Sequence, residues 1–542
     1  MDRIGERATV PAALDAAARR FGDREALVDG PVRLGFGELR ESARDCARAL
    51  LARGIGAGDR VAIWSPNTHH WVRAALGALC AGAVLVPINT RFTGAEARDV
   101  LARSRARALV VAGPFLGQDR LSSVREAAGD GPGGPVPGLP ELRTVLRVPV
   151  EDAVAAEAGV LRWDDVPALA AAVPGSAVDD RIAALSPDHV SDVLFTSGTT
   201  GRSKGAMSAH RQALAVADAW AERTGLTEAD RYLVINPFFH SFGYKAGILA
   251  ALLRGATVVP QRTFDAGAAL RLIAAERITV LPGAPTIYQV LLDHPDRHRH
   301  DLGSLRIAVT GAATVPVALV RRMRRELAFE HVLTAYGLTE AVVATMCHRD
   351  DEPDAVARTS GRPAAGFEVR VVDPDGRPLG PGEPGEVLLR GPNVMLGYLD
   401  DPAATAAAID DRGWLRTGDA GVLDEAGYLS ITDRIKDMYI CGGFNVYPAE
   451  VEQVLARLPG IADAAVVGAP DARLGEVGKA YLVRRGGAEP SATEVIAHCR
   501  EHLANFKVPR QVEFVEALPR NAAGKVLKQR LGGQATNGEE HG

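Results

Sequence analysis

Through the first two-thirds of the chain, short apolar runs alternate with longer stretches whose apolar positions recur at helical spacing. The run at 60–64 reads as a strand, followed by a helix over about 68–81, a strand over 84–88, a helix over 93–104 and a strand over 108–111. The same alternation resumes further on, with strands at 193–195, 232–235, 279–281, 305–309 and 332–334. Helices are predicted between them, one running to Leu253 and stopped by Gly255, one starting at Pro285 and one over 315–327. Strand alternating with helix predicts parallel sheet with right-handed crossovers. Gly54 and Gly58 stand between a helix and a strand and read as a helix stop, because a dinucleotide fingerprint must follow a strand and open a helix.

From Phe367 the period changes to two, with strands at 367–372 and 386–390 around a turn at 373–376, so a β-rich portion follows the α/β portion. Beyond Asp437 a small α+β unit is predicted, with helices over 448–458 and 491–503 and strands near 464–467 and 480–483. Residues 129–140 read as a flexible surface loop, and the Ala-rich 150–178 as a peripheral connection.

Composition narrows the classes. A chain of 542 residues needs two or more domains. The net charge of −5 argues against a nucleic-acid binder. Cys46, Cys80, Cys347, Cys441 and Cys499 are far apart with no CxxC pair, which fits a reducing compartment rather than a disulfide framework or a zinc site. The first residues carry no apolar signal core, and the uncharged stretch 74–88 is shorter than the about 20 residues of a spanning helix. A cytoplasmic protein with no membrane span is expected. Only seven of 62 basic residues are lysine, so a lysine here marks a place where a compact point charge is wanted.

The candidate chemistry starts where strand 193–195 ends. Thr196, Ser197, Gly198, Thr199, Thr200 and Gly201 are followed, two residues on, by Lys204 and Gly205. Glycines let backbone N–H groups approach an anion, the hydroxyls add donors, and the lysine adds charge, which together suit a polyphosphate. Arg202 and Ser203 separate Gly201 from Lys204, so this is not a Walker A loop. Three further strand ends carry Gly-rich or polar loops: 236–243 with His240, 310–313 with Gly311, Ala312 and Ala313, and 335–340 with Tyr336, Gly337, Thr339 and Glu340. Ligands of open α/β sheets bind beyond such ends.

The loop 195–205 resembles the phosphate loop of the adenylate-forming superfamily, which includes acyl-CoA synthetases, peptide-synthetase adenylation domains and beetle luciferases. Five further stretches resemble that family's motifs in the same order: 236–243, 336–340, 417–419, 433–448 and 519–525. The resemblance implies an N-terminal AMP-binding domain over 1–433, a hinge at 434–436 and a small mobile C-terminal domain over 437–542. It implies ATP, Mg²⁺ and coenzyme A as cofactors or cosubstrates. Thr196, Ser197, Gly198, Thr199, Thr200, Gly201 and Lys204 would hold the β- and γ-phosphates, and Thr339 the α-phosphate. Glu340, with Thr199, would bind the metal. Tyr336, Gly337 and the segment Gly311, Ala312, Ala313 would flank adenine, and Asp419 with Arg434 would take the ribose. Lys525 would bridge carboxylate and α-phosphate, Lys436 would sit at the hinge, and His240 would gate the acyl pocket. Gly442, Gly443 and Phe444 would line the thiol tunnel.

Only 17 residues follow Lys525, leaving no room for a carrier domain, so coenzyme A is expected as the thiol. The stretches 236–247 and 436–445 further resemble ligases of actinobacterial steroid breakdown, which activate the propanoate side chain of a bicyclic C/D-ring remnant; medium-chain fatty acyl ligases share much of this. Phe238, Phe239 and Phe242 are expected as pocket walls, and Lys245 either bonds a ring ketone or is solvated at a helix start. The expected partners are a small carboxylic acid, ATP and coenzyme A, without nucleic acid or membrane; a homodimer is left open.

Overall fold

The computed structural model describes residues 8–127, 135–196, 203–311, 315, 317–434, 437–441, 444–471, 473–503, 505–520 and 525–532, with the backbone alone at Asp433, Arg434, Phe444 and Asn445. Among these residues the strands form four sheets. The architecture is α/β, with a large N-terminal part of mixed sheets and helices and a small α+β part after it.

The first sheet is built around Arg60–Trp64, which pairs in parallel with Val84–Pro87 on one side and Ala106–Ala112 on the other. Val190–Phe195 joins it in parallel, and Gly205–Ala209 then turns back antiparallel. The second sheet runs in parallel through Glu25–Asp29, Thr257–Pro260, Arg231–Val234, Val280–Pro282, Ile307–Gly311 and His331–Tyr336. Its edges are antiparallel, at Val32–Gly35 on one side and at Thr345–Met346 followed by Arg362–Pro363 on the other. The expected alternation is therefore present but divided between two sheets.

Why the strands read as unbroken apolar runs follows from burial on both faces. Val61 and Ile63 point into the core between the sheets, while Ala62 and Trp64 point the other way, against helices Gly94–Ser104 and Arg120–Glu126. Helix His69–Cys80 lies between the two sheets and is buried on nearly every side. Its first turn is held by Thr68, whose hydroxyl accepts from the Trp71 N–H at 3.3 Å.

The stretch 150–178 is more than a peripheral connection. Leu161–Arg162 adds an edge strand, and Trp163, Val166 and Ala170 are buried on helix Phe36–Ala52. Its alanine content hid the three residues that close the core.

The β-rich portion is a four-stranded antiparallel sheet of Glu368–Val372, Gly385–Arg390, Leu415–Leu423 and Leu429–Arg434. Beyond it, Ile461–Asp471 and Gly475–Arg484 form a long hairpin backed by helices Pro448–Leu455 and Ala492–His502. No helix of the described residues is long and apolar enough to cross a membrane.

Two histidines are built into the core uncharged. His70 is pushed down to about 3 by burial and then by its neighbours His69 and Arg73. His210, whose Nδ1 accepts from the Val10 N–H, is pushed down to about 4 by burial. The unfolded chain binds protons at these rings near the ordinary value of about 6.5, so stability is complete above that pH and falls as the pH drops towards 4. At ~1.4 kcal/mol per unit, His210 alone contributes on the order of 3 kcal/mol to that loss. The urea midpoint is expected to fall steadily from pH 7 to pH 4.5; a flat profile would count against the buried neutral rings.

Candidate adenylate-forming site

The glycine-rich loop leaves and re-enters one antiparallel pair. Phe195 stands opposite Gly205. One residue further out the Thr196 N–H donates to the Lys204 carbonyl at 2.8 Å, and the Lys204 N–H to the Thr196 hydroxyl at 3.3 Å. The base of the loop is thereby closed between Thr196 and Lys204. Arg103 braces the base from outside, with Nη1 donating to the Ser203 carbonyl at 2.6 Å and its guanidinium over the Phe195 ring.

From that base the Lys204 ammonium lies 4.9 Å from the centroid of the Tyr398 ring. Tyr398 sits on Gly397–Tyr398, an edge strand paired with Gly205–Ala209. Its hydroxyl donates to Glu340 Oε1 at 2.8 Å. Burial, and then the Glu340 charge, push the Tyr398 phenol well above its ordinary range, so it stays a donor.

Glu340 ends the loop that leaves strand His331–Tyr336, and Tyr336 begins it. The Tyr336 hydroxyl donates to Asp419 Oδ2 at 2.7 Å. Asp419 is buried on strand Leu415–Leu423, where its N–H donates to the Thr417 hydroxyl and its backbone stands opposite Arg434. The five-residue loop 336–340 thus touches Asp419 at its start and, through Tyr398, Lys204 at its end. Thr339 is half-buried between them.

Small residues are required on this rim. A methyl group on Gly337 would overlap the Val342 carbonyl, and one on Gly311 would come within 2.5 Å of the Ala335 carbonyl.

His240 caps the short helix Ser241–Gly243, its Nδ1 accepting from the Phe242 N–H at 3.2 Å. Burial lowers its pKa, so the ring is neutral at pH 7. The following segment is a π-helix, Tyr244–Leu249, where one continuous α-helix to Leu253 was expected. Phe238 is fully buried against Trp71, with centroids 5.2 Å apart, and belongs to the core rather than to an open pocket wall. Phe242 packs on Trp220. Lys245 is neither solvated nor free for a ketone: it is 1% exposed and paired with Asp192.

Lys525 lies half-buried in the small unit, beside the bridge between Arg520 and Val526. Ser197, Gly198, Thr199, Thr200, Gly201, Ala312, Ala313, Lys436, Gly442 and Gly443 fall outside the described residues, as do the side chains of Arg434 and Phe444. Tyr398 and Arg103 were missed from the sequence. Nothing local marks either, since Tyr398 is 58 residues from Glu340 and Arg103 is 100 from Ser203.

The family model described as AMP-binding enzyme matches residues 14–399, and that of the AMP-binding enzyme C-terminal domain matches 450–525. A protein of Rhodococcus jostii named 3-[(3aS,4S,7aS)-7a-methyl-1,5-dioxo-octahydro-1H-inden-4-yl]propanoyl:CoA ligase is 58% identical over 523 residues, covering 96% of this chain and 98% of that one. A Mycobacterium tuberculosis protein of the same name is 58% identical over 529 residues, covering 97% and 99%. Among solved structures, an anthranilate CoA ligase in complex with anthranoyl-AMP superposes with a TM-score of 0.85 at 27% identity, covering 97% of each chain. Matched by both family models and by relatives at 58% identity along nearly its whole length, the chain belongs to the AMP-binding enzyme family, the adenylate-forming ligases.

Proposed function

We propose that this chain is a cytoplasmic ATP-dependent carboxylate–CoA ligase that works in two steps on a bicyclic propanoate derived from a steroid. The carboxylate attacks the α-phosphorus of ATP in line and expels pyrophosphate; coenzyme A then attacks the acyl-adenylate and releases AMP. The observation that carries the reading is the loop 336–340, which joins Asp419 at one end to the Tyr398–Lys204 pair at the other. Such a loop can hold a nucleotide along its length, ribose towards Asp419 and phosphates towards Lys204. The named acid rests on the two relatives at 58% identity.

Catalysis at phosphorus is positioning and charge neutralisation. Thr196, Lys204 and the intervening glycines and hydroxyls bind the β- and γ-phosphates, and Thr339 orients the α-phosphate. Tyr336, Gly337 and the 311–313 segment enclose adenine. Asp419, its Oδ2 already accepting from Tyr336, receives the ribose hydroxyls beside Arg434. The donor set fits Mg²⁺, because Glu340 uses Oε1 on Tyr398 and its Oε2 accepts no hydrogen bond among the described residues. Bound there, the ion supplies positive charge to phosphate oxygens. Residues 1–433 form the nucleotide-binding body and 437–542 the unit that turns about 434–436, with Lys436 as pivot. The two family matches, which end before and begin after that segment, support this division. Turning brings Lys525 in for the first step and the 442–444 segment in for the second. His240, neutral and held by the Phe242 N–H, closes the acyl side until the thiol arrives.

The test is kcat/KM for 3-(7a-methyl-1,5-dioxo-octahydroinden-4-yl)propanoate against octanoate, with pyrophosphate release followed with and without coenzyme A. The bicyclic acid is expected to be preferred by at least about tenfold, because specificity is a ratio of those values. Octanoate at an equal or higher value would leave a medium-chain acyl-CoA ligase.

A further inference from the structure

A buried ion pair joins the strand that feeds the glycine-rich loop to the helix that follows His240. The Lys245 ammonium is 2.8 Å from Asp192 Oδ1 and donates to the Ser208 hydroxyl at 2.8 Å. Asp192 Oδ2 accepts from the Ser191 hydroxyl at 2.7 Å, and that hydroxyl is also 3.1 Å from the Ser208 carbonyl. Asp192 and Ser191 are fully buried, and Ser208 and Lys245 nearly so. Three elements meet in this network: Val190–Phe195, Gly205–Ala209 and Tyr244–Leu249.

Burying two charges costs several kcal/mol each before their attraction is counted, and apolar replacements of such pairs are often as stable. Stability therefore does not explain the pair, whereas its location does. Asp192 lies four residues before Thr196, and Ser208 four residues after Lys204, so the pair grips both arms of the loop's base. Lys245 lies five residues after His240, on the first turn of the π-helix. A π turn is strained and rare, and tends to mark functional positions. Here the Tyr232 hydroxyl, from the central strand Arg231–Val234, donates to the Ala246 carbonyl at 3.1 Å, so the turn is anchored on both sides of the gap between the sheets.

We infer that Asp192 and Lys245 are positioning residues for adenylate formation: their pair locks the His240 segment in register with the base of the glycine-rich loop, so that the acid and the ATP phosphates meet in line. The inference rests on the ligase reading above. A pair that only stabilises the fold would leave turnover per folded enzyme unmoved; a pair that positions would not.

The test compares Asp192→Asn, Lys245→Met and the double variant, assayed well below each melting temperature. Each single change strands a buried charge and is expected to lower Tm. The double variant removes both charges and is expected to regain most of that Tm while its kcat/KM in acid-dependent pyrophosphate exchange, per folded enzyme, stays down at least about fivefold, since small misplacements of reacting groups are costly. A smaller loss in the double variant overturns the inference. If the wild-type enzyme shows no acid-dependent exchange, the ligase reading fails instead, and the pair is judged by hydrogen exchange. Faster exchange at 236–249 in the double variant supports the lock, and unchanged exchange overturns it.

Discussion

Replacing Lys525 with alanine is expected to lower adenylate formation about 100- to 1000-fold, the usual cost of removing one preorganised charge from a developing transition state. In the first step Lys525 would offset the repulsion between the anionic carboxylate and the α-phosphate oxygens as they are brought together, a repulsion that attack of the thiol on the acyl-adenylate does not have to overcome. Thioester formation from supplied acyl-adenylate is therefore expected to hold within a few-fold. Lys525 sits in the small unit, apart in sequence from the loop at 336–340, and the hydrogen-bonded pairs Tyr336–Asp419 and Tyr398–Glu340 do not include it. Removing it should leave ATP affinity nearly intact, so the loss should fall on kcat rather than on KM for ATP. Pyrophosphate exchange and single-turnover thioester formation, run side by side, separate the two steps. An equal fall in both would mean that Lys525 supports the fold of the small unit rather than the chemistry.

The same separation of local from distant information runs through the fold. Helix His69–Cys80 was legible because Thr68, its apolar spacing and the glycine after it all lie within a few residues. Strand Arg60–Trp64 was legible for the same reason. Sequence could place Tyr336 and Glu340 as candidates because their loop at a strand end carries its own signature, and Asp419 through the resemblance of 417–419 to the family's motif. It could not say that Tyr398 would bridge Glu340 to Lys204, since that contact is made by edge-strand pairing across nearly 200 residues. Lys245 shows the limit most clearly. Its neighbours suggested either solvent or a ligand, but its partner Asp192 lies 53 positions away and becomes adjacent only when the π turn aims the side chain inward. Trp163 was lost in an alanine-rich stretch for the opposite reason, one large residue doing the packing of many small ones.

Gly337→Ala is expected to be the most damaging small change on the nucleotide rim. The added methyl group would overlap the Val342 carbonyl, which is backbone and cannot swing aside as a side chain could. Val342 is already strained: its φ of 61° places a β-branched residue in the left-handed region, which costs about 1–3 kcal/mol. It is held there by its N–H, which donates to the Leu338 carbonyl. Nothing in the 337–342 turn can yield without moving Tyr336 off Asp419 or Glu340 off Tyr398. A shift of about 1 Å in groups that position ATP is enough for a loss of roughly 100-fold in kcat/KM for adenylate formation. Because the nucleotide's ribose and phosphate ends would both be displaced, KM for ATP should rise as kcat falls, the opposite of the pattern for Lys525→Ala. Steady-state pyrophosphate exchange over a range of ATP concentrations reads both. Wild-type kcat and KM for ATP in a folded Gly337→Ala enzyme would overturn the expectation, since either the turn would have absorbed the methyl group or the 336–340 loop would not hold the nucleotide.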